Sequence, residues 1–228
     1  MKVLKLFISS VAFLLVCMPV QAQNSFFPTK AGTVLIYAQN DAKGKVGNYF
    51  RHTITAVEGS LNDMAISYSV ELLDKNRKSK SEPIPMTVLI QDGAVLLDLK
   101  SMFAGLQTDA QFEVEISGTP MELPANLQPG QSLADAEVTI TTDMVIMKMS
   151  TVIKMSEGKC LAIEDVTVAA GTFKCHKITQ TVTSTVMKKT VVSRTVSWYA
   201  PGIGTVKNET YDSKDKLQNS MELVEITN

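Results

Sequence analysis

Thr172-Phe173-Lys174-Cys175-His176-Lys177-Ile178-Thr179-Gln180-Thr181-Val182-Thr183-Ser184-Thr185-Val186 is followed by Met187-Lys188-Lys189 and then by Thr190-Val191-Val192-Ser193-Arg194-Thr195-Val196-Ser197-Trp198-Tyr199. Thr179, Thr181, Thr183 and Thr185 alternate with Ile178, Val182 and Val186, which puts hydroxyls on one side of an extended chain and mostly apolar groups on the other. Residues branched at Cβ suit a half-buried pleated surface. A short basic break between two such runs reads as a hairpin connection. The stretch therefore predicts two antiparallel strands.

The same grammar extends in both directions. Thr205 to Tyr211 and Leu217 to Ile226 follow, separated by Asp212 to Lys216. Ala136 to Thr142, Val145 to Met155 and Cys160 to Ala169 precede, with Ser156-Glu157-Gly158 and Ala169-Ala170-Gly171 as connections. In the N-terminal half, Thr33 to Gln39, Val46 to Val57, Leu61 to Asp74, Met86 to Gln91, Ala94 to Leu99 and Gln111 to Gly118 alternate in the same way. Asn40 to Gly44 and Asp92-Gly93 have hairpin chemistry. Residues 100–110 hold the one plausible helical turn.

Connections this short join antiparallel neighbours, whereas parallel ones need a crossover. About a dozen twisted strands do not stay flat. The predicted fold is all-β, an antiparallel meander forming a strongly curved sheet or partly open barrel. Pro120, Pro124, Pro129 and Gly130 punctuate residues 119–130, where two halves could meet within a single β-rich domain spanning 23–228.

The chain opens with Lys2 and Lys5, an apolar run from Leu6 to Met18, and Pro19-Val20-Gln21-Ala22. That is the layout of a secretory signal peptide over residues 1–22, with cleavage before Gln23. The apolar run is too short to span a bilayer. Cys17 raises a lipoprotein alternative, but Val16 is larger than the residue such processing wants before the cysteine. Removing residues 1–22 leaves 20 basic against 23 acidic residues, a net charge of −3. No overall basic field gathers nucleic acid. The expected address is the periplasm or cell surface.

Two cysteines remain, Cys160 and Cys175, and an oxidising compartment favours a disulfide between them. Hairpin geometry opposes it. A symmetric turn at residues 169–172 places Cys175 opposite Val166, about 20 Å from Cys160 along the strand, unless Cys160 to Glu164 bends back over the hairpin.

Chemical signatures are sparse. His52 and His176 lack metal-ligand spacing and read as strand-surface residues. Met144, Met147, Met149 and Met155 resemble a copper(I) cluster, but Met147, Met149 and Met155 share one strand face as core filler while Met144 points to the other side. No nucleophile elbow is present. Asp98, Glu113 and Glu115 are the scattered carboxylates an enzyme would have to use. The threonine ladder reads as a solvated face. Pro201-Gly202-Ile203-Gly204 cannot be a dinucleotide loop and reads as a structural corner, with Trp198 capping the core beside it. No cofactor or metal is expected. The expected role is non-catalytic, binding or scaffolding an envelope protein, glycan or lipid, and the alternative is a periplasmic carrier of an apolar ligand.

Ala170-Gly171-Thr172-Phe173-Lys174-Cys175-His176-Lys177-Ile178, Trp198-Tyr199-Ala200-Pro201-Gly202-Ile203-Gly204-Thr205-Val206-Lys207 and Ser220-Met221-Glu222-Leu223-Val224 together resemble a TapB-like family of exported proteins abundant in Bacteroides-type bacteria. Phe27-Pro28-Thr29-Lys30-Ala31-Gly32-Thr33 looks like the same family's start. Ala170 stands where many members carry proline. The resemblance implies a β-rich half-barrel similar to small envelope lipoproteins, and it carries no assigned catalytic residues.

Overall fold

The structure is a computed structural model that describes residues 25–60, 62–97, 113–144 and 147–228. The described residues form 13 strands and no helix. The first seven are β1 (Val34–Asp41), β2 (Val46–Ser60), β3 (Asp63–Leu73), β4 (Ile84–Gln91), β5 (Ala94–Leu97), β6 (Glu113–Gly118) and β7 (Met121–Leu123). The remainder are β8 (Ala136–Met144), β9 (Met147–Val168), β10 (Gly171–Val186), β11 (Lys189–Ala200), β12 (Gly204–Asp212) and β13 (Leu217–Thr227). The helical turn expected over residues 100–110 falls outside the described residues.

All strands belong to one antiparallel sheet in the order β6-β8-β9-β10-β11-β12-β13-β1-β2-β3-β4-β5-β7. Two meanders, β8 to β13 and β1 to β5, are joined where the first strand pairs with the last, Val34 opposite Thr227 and Asp41 opposite Asn219. The two edges, β6 and β7, are separated in sequence only by Thr119 and Pro120. A sheet whose ends are that close along the chain has to curl, although no ladder joins β6 to β7. The segment instead hands over: Glu113 to Gly118 pairs with β8, and Met121 to Leu123 pairs with β5.

Recurrent turn chemistry draws the hairpins. Asp41 accepts the N–H of Lys43 and Lys45, at 2.8 and 3.0 Å. Asp74 does the same with Asn76 and Lys78, and Asp212 with Lys214 and Lys216. The fourth residue of each turn, Gly44, Arg77 or Asp215, takes a positive φ. These backbone donors are the main reason the three carboxyls sit below the usual aspartate range.

Two expectations change. Ser156-Glu157-Gly158 does not end a strand, because β9 runs through it and keeps β10 as partner on both sides. Glu157 takes a φ of 56°, and a register shift between Thr179 and Thr181 absorbs the irregularity as a bulge. The expected loop over 119–130 also contains β7, where Met121 and Leu123 are buried and Glu122 is exposed between them.

The main core gathers Ile54, Ile66, Val88 and Ile90 from one part of the sheet with Cys160 and Ile178 from another, together with Phe26, Leu127 and Leu133 from connecting segments. Strands distant in sheet order thus share one interior, as the curl requires. A second cluster, Cys175, Val196, Trp198, Ala200 and Val206, lies on the opposite face of β10 and β11.

Candidate functional site

An interior hollow of about 240 Å³ opens between the N-terminal segment and the concave face of the sheet. Its walls are mostly apolar and include Phe26, Phe27, Leu35, Val95, Leu97 and Leu123. Into this lining come four polar groups from separate strands: Tyr37 of β1, His52 of β2, Tyr68 of β3 and Tyr199 of β11. Strand parity explains the convergence, since Leu35 pairs with His52, Tyr37 with Phe50, His52 with Val70 and Ile54 with Tyr68, so all share one face.

The rings contact one another. His52 lies 4.8 Å from Tyr37 and 5.9 Å from Tyr68, centroid to centroid, and Phe27 packs edge-on against Tyr68 at 5.2 Å. Burial pushes the His52 pKa down to about 4, so the imidazole is neutral at pH 7. Burial likewise raises Tyr68 to about 12 and raises Tyr37 and Tyr199, with Tyr68 and Tyr199 close enough to Tyr37 to add to the effect there. The site therefore offers uncharged hydrogen-bonding groups inside an apolar wall.

The expected surface placement of both histidines is corrected by this geometry. His52 lines the hollow, and His176 packs edge-on at 4.8 Å from Phe26, its Nδ1 buried without a hydrogen-bond partner. Burial is the first cause of the lowered His176 pKa. The parity of His52 with Phe50 and Ile54 was the available signal.

Residues of the expected corner build the floor of the site. Gly202 donates its N–H to the Ser25 carbonyl at 2.7 Å, and both Gly202 and Gly204 take positive φ. Pro201 and Gly202 form the turn after β11, and Ile203, Gly204 and Thr205 line the hollow directly. The corner thus clamps the N-terminal segment that carries Phe26 and Phe27.

Trp198 is buried, with 7% of its surface exposed, in the second cluster rather than the hollow. Its Nε1–H donates to Glu164 Oε1 at 2.7 Å, while Lys177 and Lys207 stand 5.1 and 5.5 Å from its ring. That indole bond is the first cause of the lowered Glu164 pKa.

The expected Cys160–Cys175 disulfide is not formed in the structure; both thiols are free and buried. Cys175 pairs with Glu164 rather than Val166, and Cys160 pairs with Ile178. Three positions separate Cys175 from Ile178 along β10, so the cysteines point to opposite faces and pack in different clusters. Burial is the main cause raising both thiols, Cys175 to about 12.

Among the described residues no group of three or more His, Cys, Asp or Glu could hold a metal ion. Asp98 falls outside the described residues, as do the side chains of Glu113, Met144 and Met147. Glu115 is exposed, and Met149 and Met155 are half-buried. The threonine face is internally satisfied in part: Thr179 donates to the Thr195 carbonyl and Thr181 to Glu157. A second hollow of about 450 Å³, near the turn after β4, is walled by Asp92, Glu122, Asn126 and Gln131 and is polar and more open. No described helix is long and apolar enough to cross a membrane.

The fold is similar to that of an inferred exported protein with YmcC-like fold from Bacteroides fragilis, at 21% identity and a TM-score of 0.71, covering 90% of this chain and 99% of that one. It is also similar to an inferred lipoprotein from Parabacteroides distasonis, at 22% identity and a TM-score of 0.72, covering 89% and 98%. No curated protein matches the chain. Residues 30–223 match the DUF3108-like model, and the chain belongs to the DUF3108-like family.

Proposed function

We propose that this is an exported cell-envelope protein that binds a small apolar molecule, or the apolar end of a larger one, in the hollow of a half-barrel sheet, without catalysis. The observation that carries this reading is the convergence of Tyr37, His52, Tyr68 and Tyr199, all uncharged, in an apolar wall. Apolar lining with a few convergent polar groups is the usual make-up of a ligand site. Neutral phenols and imidazole suit a hydroxyl, ester or amide head and disfavour a bare charge.

Size narrows the ligand. Drug-sized pockets run from about 300 to 1,000 Å³, so about 240 Å³ suits a ring or a short acyl tail better than a whole phospholipid. Export is supported by the leader at residues 1–22 and by the TapB-like resemblance. The descriptions of the two structural neighbours, one exported and one a lipoprotein, agree with that address.

Native mass spectrometry of the protein purified from cells that export it tests the reading. The expected result is an adduct that organic extraction removes and that Leu123→Trp, which fills the hollow, abolishes. A folded wild-type protein that carries no adduct and takes up no fluorescent fatty-acid analogue would overturn it. Intact mass also tests the address, since the exported form should begin at Gln23.

A further inference from the structure

The hairpin between β10 and β11 ends in a turn that its residues do not favour. Val186 pairs with Lys189, and the two residues between them, Met187 and Lys188, have φ values of 45° and 72°. Two-residue hairpin turns with positive φ at both positions ordinarily carry Asn-Gly or Asp-Gly. Methionine and lysine hold that shape against steric preference. The strained turn puts a large apolar side chain at the end of this hairpin.

Its surroundings are apolar as well. Exposure is 36% at Val186, 57% at Met187, 65% at Val191 and 43% at Val192. Among the described residues these are four of the six exposed large hydrophobic residues. Scattered apolar residues on a surface need no explanation, whereas a cluster does. The tip is bare on one side: β12 ends at Asp212 opposite Ser193, so Lys189 to Val192 continue about 13 Å past their last β12 partner, while β9 flanks β10 up to Val186, which pairs with Thr151.

Cations line the rim on the β12 side of the tip. Lys188 and Lys189 lie on the tip, and Lys214, Lys216, Lys43 and Lys45 lie on the two hairpins that end along the same rim. The acids on these two hairpins, Asp41, Asp212 and Asp215, are fewer than the cations, and Asp215 pairs with Arg194 at 3.0 Å. The net charge of −3 for residues 23–228 conceals this local excess.

We propose that the Val186–Val192 tip docks on the surface of an anionic lipid bilayer, its apolar side chains entering the headgroup boundary and its lysines meeting lipid phosphates. Apolar groups ringed by lysine are the pattern of interfacial membrane binding. Val191 and Val192 are consecutive and face opposite sides of the ribbon. A protein groove would cover one side and leave the other wet, while a bilayer boundary surrounds both. Lys189 on the free β11 edge discourages strand addition by a second copy. The tip stands about 36 Å of strand from the corner at Ala200, so this inference is independent of the ligand hollow.

Co-sedimentation of the mature protein with vesicles tests it, using phosphatidylcholine alone and phosphatidylcholine with an equal part of phosphatidylglycerol. The protein should sediment with the anionic vesicles, and less as salt rises. Met187→Ser with Val191→Ser, and separately Lys188→Glu with Lys189→Glu, should each weaken binding by about ten-fold or more while leaving the melting temperature unchanged. Absence of sedimentation with anionic vesicles at low salt overturns the proposal. So does unaltered binding by folded variants. Loss of a concentration-dependent dimer in the variants, with lipid binding unaffected, would give the tip to a second copy instead.

Discussion

The carbonyl oxygen of Phe26 lies 3.2 Å from the point that a Cβ on Gly204 would occupy. With a φ of 91° at Gly204, both conformation and space call for glycine. Gly204→Ala should lower stability by about 1–3 kcal/mol, or roughly 2–4 °C in melting temperature per kcal/mol for a chain this size. It should also loosen the Phe26–Phe27 segment, which limited chymotrypsin digestion reads as faster N-terminal trimming.

His52 makes the protein sensitive to mild acid. Its folded pKa of about 4 lies below the ordinary unfolded value of about 6.5, so the unfolded chain binds the extra proton between those limits. This contribution to stability is complete above about pH 6.5 and falls as pH drops toward 4, by at most roughly 3 kcal/mol. Chemical denaturation across that window should show the slope, and His52→Phe should flatten it. An unchanged slope in the variant would place the titration elsewhere.

Trp198 should be structural, as its burial between two lysines and against Val206 indicates. Trp198→Ala should cost about 3–5 kcal/mol. Trp198→Phe keeps a ring beneath the lysines but loses the Nε1–H to Glu164. Because that bond holds the Glu164 pKa down, its stabilisation is present above the unfolded glutamate pKa and is lost as pH falls through the folded one. Carboxyl NMR titration should show the Glu164 pKa rising toward its ordinary value in Trp198→Phe.

Both cysteines should be unreactive while the protein is folded. Burial keeps them as thiols, and the thiolate is the reactive form. Thiol titration of the unreduced mature protein should find almost none in buffer and two per chain in denaturant. None in denaturant would mean a bond that this sheet cannot make without refolding β9.

Most of the fold could be read from alternation because strands such as β10 and β11 pair with their sequence neighbours and carry both faces in their own residues. The handover from β6 to β7 could not. Pro120 and Gly118 mark a break correctly, but which strand accepts Met121 to Leu123 depends on β5, more than 20 residues earlier. The hollow was hidden for a related reason. Tyr37, His52, Tyr68 and Tyr199 are unremarkable one by one, and only the pairing registers of β1 with β2 and β2 with β3 put three of them on one face. The corner at Pro201 to Gly204 was legible as structure, while its partner, the Ser25 to Pro28 segment, lies more than 170 residues away.

The pairing of β1 with β13 also has a temporal meaning. Val34 cannot find Thr227 until nearly the whole chain exists, and sheets dominated by such distant contacts fold slowly. A chain whose first strand waits for its last completes this sheet only after residue 227 has been made, so β1 spends synthesis with one edge unpaired.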